Sequence, residues 1–132
     1  MKLSDDNRCE MVRHHLSKAT QMLDLADELV RMGHYDAACN RYYYACFHGA
    51  HALFVANELS AKTHEGMLTV FGKEFVLTER MDKKYGILLT RLEQLRKKAD
   101  YNCVANISEQ EVITIGQPAR EFLQAVTNEL SV

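Results

Sequence analysis

The sequence predicts an all-α fold: an antiparallel helical bundle of four main helices and one short helix, in a single domain over residues 1–132. Three observations carry that reading. Apolar residues recur at alternating four- and three-residue spacings along three long segments, which keeps one face of a helix against its neighbours. A single proline and six glycines leave too few breakers for the turns of an all-β chain. The length, 132 residues, fits one compact core and not two.

In the first helix Val12, Leu16, Ala19, Leu23, Ala26 and Val30 form the apolar stripe, and Gly33 sits where a left-handed cap ends the helix at Arg31 or Met32. The second helix, from about Asp36 to Leu59, is apolar around its full circumference from Tyr42 to Phe47, as a helix buried on several sides would be. Thr63 caps a short third helix carrying Met67, Val70, Phe71 and Phe75, with Glu65 near its positive end and Gly72 as a weak point. Met81, Tyr85, Leu88, Leu92, Leu95 and Ala99 define a fourth helix from about Glu79 to Asp100, followed by a loop over Asn102 to Ile107. Ser108 and Glu111 form a capping box ahead of Val112, Ile115, Ala119, Phe122, Val126 and Leu130. Pro118 falls inside this last helix, where a kink is expected. Stripes of this spacing suit nearly antiparallel packing.

Sixteen Lys and Arg face 18 Asp and Glu, for a net charge of −2, so any nucleic-acid contact has to come from a local patch such as Arg91, Arg96, Lys97 and Lys98. The first ten residues hold no apolar signal core, and the apolar runs fall far short of the ~20 residues a membrane span needs, so a soluble cytoplasmic protein is expected. Cys9, Cys39, Cys46 and Cys103 show no CxxC spacing and read as reduced thiols packed like small apolar residues.

Phosphate-cradling glycine loops, G-x-S-x-G and HExxH are all missing, which removes support for most enzyme classes. What remains is a set of polar residues lodged among apolar ones: Arg41, His48 and His51 on the second helix, His64 on the third, and Arg96, Asp100 and Tyr101 at the end of the fourth. His48, His51 and His64 have the spacing to meet one metal ion, but no carboxylate lies within a turn of the first two, and the sequence assigns no metal or cofactor. Tyr42, Tyr43 and Tyr44 point about 100° apart on a helix, so they read as core and not as a base-stacking platform.

The segments Arg41-Tyr42-Tyr43-Tyr44-Ala45-Cys46-Phe47-His48, Thr63-His64-Glu65-Gly66, Phe71-Gly72-Lys73-Glu74-Phe75-Val76 and Arg96-Lys97-Lys98-Ala99-Asp100-Tyr101, in that order, resemble the small prokaryotic branch of HEPN domains. The resemblance spans Arg41 to Tyr101. It implies a helical bundle that forms a homodimer, often beside a minimal nucleotidyltransferase partner. It also implies membership of toxin–antitoxin or defence systems, in which many such domains are metal-independent RNA endonucleases using an Arg followed by His after four to six residues. Here Tyr101 stands where that histidine first falls due, followed by Asn102 and Cys103. A tyrosine, with its ordinary pKa near 10, is a poor general base at neutral pH. Arg41 and His48 have the same spacing on a different helix.

Two functional readings follow. In the favoured one the protein is a non-catalytic or nucleotide-responsive dimeric partner, with Arg41, Tyr44, His48, His64 and Asp100 around a nucleotide or RNA phosphate. There, Arg41 and Arg96 against the one carboxylate of Asp100 leave a positive surplus for that phosphate. In the other it cleaves RNA, with Arg96 stabilising the phosphorane and Tyr101 or His48 moving protons. A purely structural alternative pairs Arg41 with Asp100 as a buried ion pair that fixes helix register.

Overall fold

The computed structural model describes residues 4–101 and 106–130. Five α-helices account for nearly all of them, with no strand among the described residues. α1 spans Asp5–Arg31, α2 Tyr35–Ala56, α3 His64–Phe71, α4 Lys83–Tyr101 and α5 Glu109–Leu130.

Each helix end has a local cause. Ser4 accepts a hydrogen bond from the Asn7 amide, and Asp5 and Asp6 sit in the first turn of α1 against its positive end. That start lies a full two turns before the apolar stripe begins at Val12. At the other end Gly33 takes φ +80°, and the amides of Gly33 and His34 fold back onto the carbonyls of Val30 and Leu29. Thr63 Oγ1 accepts the Gly66 amide at 2.9 Å to open α3. Past Phe71 the chain widens into one π-helical turn, Gly72–Val76, closed by the Leu77 amide on the Gly72 carbonyl at 2.9 Å.

α4 begins later than the apolar spacing implies. Glu79 adopts φ 61°, which no α-helix accommodates, and Asp82 then takes the Lys84 amide at 2.9 Å to start the helix at Lys83. Met81 is buried from the connecting loop instead. At the start of α5 both bonds of the capping box are present, Ser108 amide to Glu111 Oε1 at 3.0 Å and Glu111 amide to Ser108 Oγ at 3.1 Å. The helix runs unbroken past Pro118. Of the expected loop from Asn102, positions 102–105 lie outside the described residues.

α2 is the central element and packs against α1, α4 and α5, while α3 lies on α4. Tyr42, Tyr43, Ala45, Cys46, Phe47, Ala50, Leu53 and Phe54 are all buried in this single chain. Its neighbours therefore absorb the apolar circumference of α2, with one correction: Tyr44 is 38% exposed. Tyr44 belongs to a partly exposed strip of α2 with Arg41, His48 and His51, spaced three, four and three residues apart. Cys39 and Cys46 are buried as expected, but Cys9 is exposed, and Cys103 lies outside the described residues. No described helix is long and apolar enough to cross a membrane.

Candidate functional site

The last turns of α4 meet the start of α3 over the buried ring of Tyr43. Glu93, Arg96 and Asp100 fall three and four residues apart and so share one face of α4. Glu93 is 5% exposed, the one buried charged side chain among the described residues. Its Oε1 accepts Arg96 Nη2 at 3.3 Å, and Arg96 Nη1 reaches Asp100 Oδ2 at 3.0 Å. The guanidinium carbon lies 5.1 Å above the centre of the Tyr43 ring. Desolvation pulls the Arg96 pKa down, but Glu93, Tyr43 and Asp100 together outweigh it and hold the guanidinium above its ordinary value. Lys97, on the same turn, reaches across to Glu65 of α3 at 2.8 Å and stands 3.8 Å from Glu93.

His64, the first residue of α3, completes the cluster. Its Nδ1 is hydrogen-bonded to the Tyr43 hydroxyl and stands 3.8 Å from Glu93 Oε2. The ring packs on Phe47 at 4.9 Å and edge-on to Tyr43 at 5.3 Å, yet the side chain stays 38% exposed. Burial and the adjacent Glu93 carboxylate push the Tyr43 hydroxyl well above the usual tyrosine range, so it stays protonated at neutral pH. Two buried polar atoms here make no hydrogen bond, Glu93 Oε2 and Arg96 Nε. Unsatisfied buried groups of this kind cost stability.

Sequence-predicted residues divide between this cluster and a second one. Arg96, Asp100 and His64 come together. Tyr101 ends α4, but its side chain, like Asn102 and Cys103, is outside the described residues. Arg41 turns toward α1, its Nη1 3.8 Å from the Met22 sulfur, and no described contact joins it to Arg96 or Asp100. The expected positive surplus is also absent, because Arg96 and Lys97 face three carboxylates, Glu65, Glu93 and Asp100. Arg91 and Lys98 turn away to Glu111 of α5, so the basic cluster of α4 is split between two faces.

His48 and His51 pack against His15 of α1, a residue the sequence reading did not single out. His15 Nδ1 and His48 Nδ1 are 3.1 Å apart, and the rings of His15 and His51 stack at 5.2 Å and 17°. Among the described residues no group of three or more His, Cys, Asp or Glu is arranged to hold a metal ion. Burial, and then neighbouring imidazoles, hold the pKa values of His15, His48 and His51 below the ordinary histidine value. Glu93 is likewise not singled out by the sequence; the available signal is the three-residue step from Glu93 to Arg96.

Comparison with known proteins agrees with the resemblance. The sequence model of the HEPN domain matches residues 12–130. A UPF0332 protein of Thermotoga maritima is 32% identical over 89% of this chain and 89% of its own. A protein of Methanocaldococcus jannaschii named "Putative toxin MJ0605" is 32% identical over 92% of this chain and 90% of its own. The UPF0332 protein of Archaeoglobus fulgidus is 29% identical over 86% of this chain and 90% of its own. With a helical bundle of this order and a family match over nearly its whole length, the chain belongs to the HEPN domain family.

Proposed function

We propose that the protein is a dimeric, toxin-like HEPN protein that takes a phosphate-bearing ligand, RNA or a nucleotide, at Arg96, and that it works beside a minimal nucleotidyltransferase in a toxin–antitoxin or defence pair. The observation that carries this is the unequal hold on Arg96. Glu93 grips it from the buried side, whereas Asp100 holds it from a side chain that is 47% exposed. An exposed pair four residues apart on a helix contributes only about 0.3–0.5 kcal/mol, so a phosphate can displace Asp100 and take the forked Nη donors while Glu93 keeps the guanidinium in place. The names of the Methanocaldococcus jannaschii relatives support the toxin part of this reading. Titration with ATP and with a short single-stranded RNA tests it: binding that weakens at least tenfold in Arg96→Ala and little in Arg41→Ala is the expected result.

A second reading, metal-independent RNA cleavage, is favoured by one observation. The sequence argued for a non-catalytic role because Tyr101 occupies the histidine's place. His64 stands at the same site, on a different helix, and removes that reason.

A further inference from the structure

The carboxylate of Glu93 is buried beside Arg96, His64 and the Tyr43 hydroxyl. Oε1 accepts from Arg96 at 3.3 Å, while Oε2 stands 3.8 Å from His64 Nδ1 without a hydrogen bond. Behind the imidazole, therefore, lies a buried negative charge with spare accepting capacity, which becomes useful only when the ring gains a proton. In the tautomer that this role needs, Nδ1 carries the ring proton and donates to the Tyr43 hydroxyl oxygen, while Phe47 packs on the ring and Tyr43 meets it edge-on. This leaves Nε2 as the nitrogen with no partner among the described residues, on a side chain that is 38% exposed. A fixed ring, an orienting group on one nitrogen, a free second nitrogen and a neighbouring guanidinium are the parts that general acid–base catalysis needs. By contrast, His48 spends its Nδ1 on His15 and has no carboxylate among the groups that bear on it.

We infer that His64 is the proton-transfer residue of this site, standing in from α3 for the histidine missing after Arg96, with Glu93 as the positioning residue that joins the two. The inference rests on the RNA-cleaving reading. In the reaction it supports, the ribose 2′-oxygen forms a bond to phosphorus as the bond from phosphorus to the 5′-oxygen breaks, and that electron pair leaves with the 5′-oxygen. The proton of the 2′-hydroxyl goes to His64 Nε2 and the 5′-oxygen takes a proton from water; the hydroxide so formed recovers the proton from His64. The products are a 2′,3′-cyclic phosphate and a 5′-hydroxyl, with nothing oxidised or reduced. Arg96 carries the developing charge of the phosphorane, and Glu93 stabilises the imidazolium while it exists.

The test is cleavage of a labelled single-stranded RNA in the presence of a chelator, by the parent protein and by His64→Gln, His64→Gly and Arg96→Ala, with RNA affinity and thermal melting measured on each. Expected is cleavage by the parent to cyclic-phosphate ends, a fall of about 10²–10⁴-fold in His64→Gln with RNA affinity within about threefold of the parent, and partial recovery of His64→Gly by added imidazole. Imidazole is expected to leave Arg96→Ala inactive. If the parent cleaves, Arg96→Ala does not, and His64→Gln cleaves within about threefold of the parent, the assignment of His64 is overturned while the RNA-cleaving reading stands. Loss of activity in His64→Gln together with loss of its melting transition, and no recovery of His64→Gly by imidazole, also overturns it in favour of a packing role. A parent protein that leaves the RNA intact removes the RNA-cleaving reading and the inference with it.

Discussion

Glu93 holds Arg96 from one turn below on α4, with Oε1 3.3 Å from Nη2, and the same carboxylate reaches within 3.8 Å of His64 on α3. Because Glu93 is 5% exposed and Asp100 is not buried, the two acidic partners of Arg96 differ in what their removal costs. Glu93→Ala is expected to lower unfolding stability by about 2–3 kcal/mol, since it strips a mostly buried guanidinium of its inner partner. Asp100→Ala is expected to cost less than about 0.5 kcal/mol. Urea denaturation of the two variants checks the contrast; equal losses would place Arg96 outside the core-edge arrangement described here.

Acid is expected to destabilise the protein through a different cluster. The pKa values of His15, His48 and His51 are held below the ordinary histidine value near 6.5, by burial first and by one another second. The unfolded chain therefore binds protons before the folded one does, and stability falls as pH drops from about 6.5 toward the lowered folded-state values. The charges bearing on these rings from α1, α2 and α3 are His14, Lys18 and His64, none of them acidic. Thermal melts from pH 8 to pH 5 are expected to show a falling Tm, with a shallower fall in His48→Gln than in the parent. A Tm independent of pH over this range would contradict the cluster.

Tyr42 ties three helices together on another side of α2. Its hydroxyl donates to Asp27 of α1 at 2.6 Å, and Arg120 of α5 pairs with the same carboxylate. Gly116 makes room for this: a Cβ there would sit 3.1 Å from the Tyr42 oxygen. Tyr42→Phe is expected to cost about 1–2 kcal/mol by leaving one hydrogen bond unmade. Tyr44→Phe, on the exposed strip, is expected to stay within about 0.5 kcal/mol of the parent. Chemical denaturation separates the neighbouring tyrosines, and reversal of this order would contradict their placement.

Much of the fold was legible because its signals are local. Gly33 as a left-handed cap, Ser108 with Glu111 as a capping box and the four-three stripes each act within a turn or two of the chain. The delayed start of α4 was hidden, because Met81 continues the apolar spacing while Glu79, an ordinary residue by type, takes a left-handed conformation. The site was only partly legible for a related reason. Between Leu92 and Leu95, Glu93 reads as the solvated side of a helix, and α3 and the Tyr43 ring of α2 lying on α4 turn that position inward. His15 was invisible in the same way, since its meeting with His48 joins residues 33 positions apart.

The proposed dimer rests on the family, because α1, α4 and α5 already cover most of the apolar surface of α2. Size-exclusion chromatography with light scattering is expected to give about twice the 15.1 kDa chain mass at micromolar concentration. A species at the chain mass would contradict the dimeric part of the proposed function.

In the proposed function a phosphate displaces Asp100 and binds the Arg96 guanidinium that Glu93 holds in place. Affinity of Asp100→Asn for a short single-stranded RNA, beside the parent and Arg96→Ala at one salt concentration, tests it most directly. Expected is about two- to tenfold tighter binding for Asp100→Asn, which loses both a competitor for Arg96 and a negative charge, and at least tenfold weaker binding for Arg96→Ala. Unchanged or weaker binding in Asp100→Asn, or an Arg96→Ala variant that binds as the parent does, would contradict it.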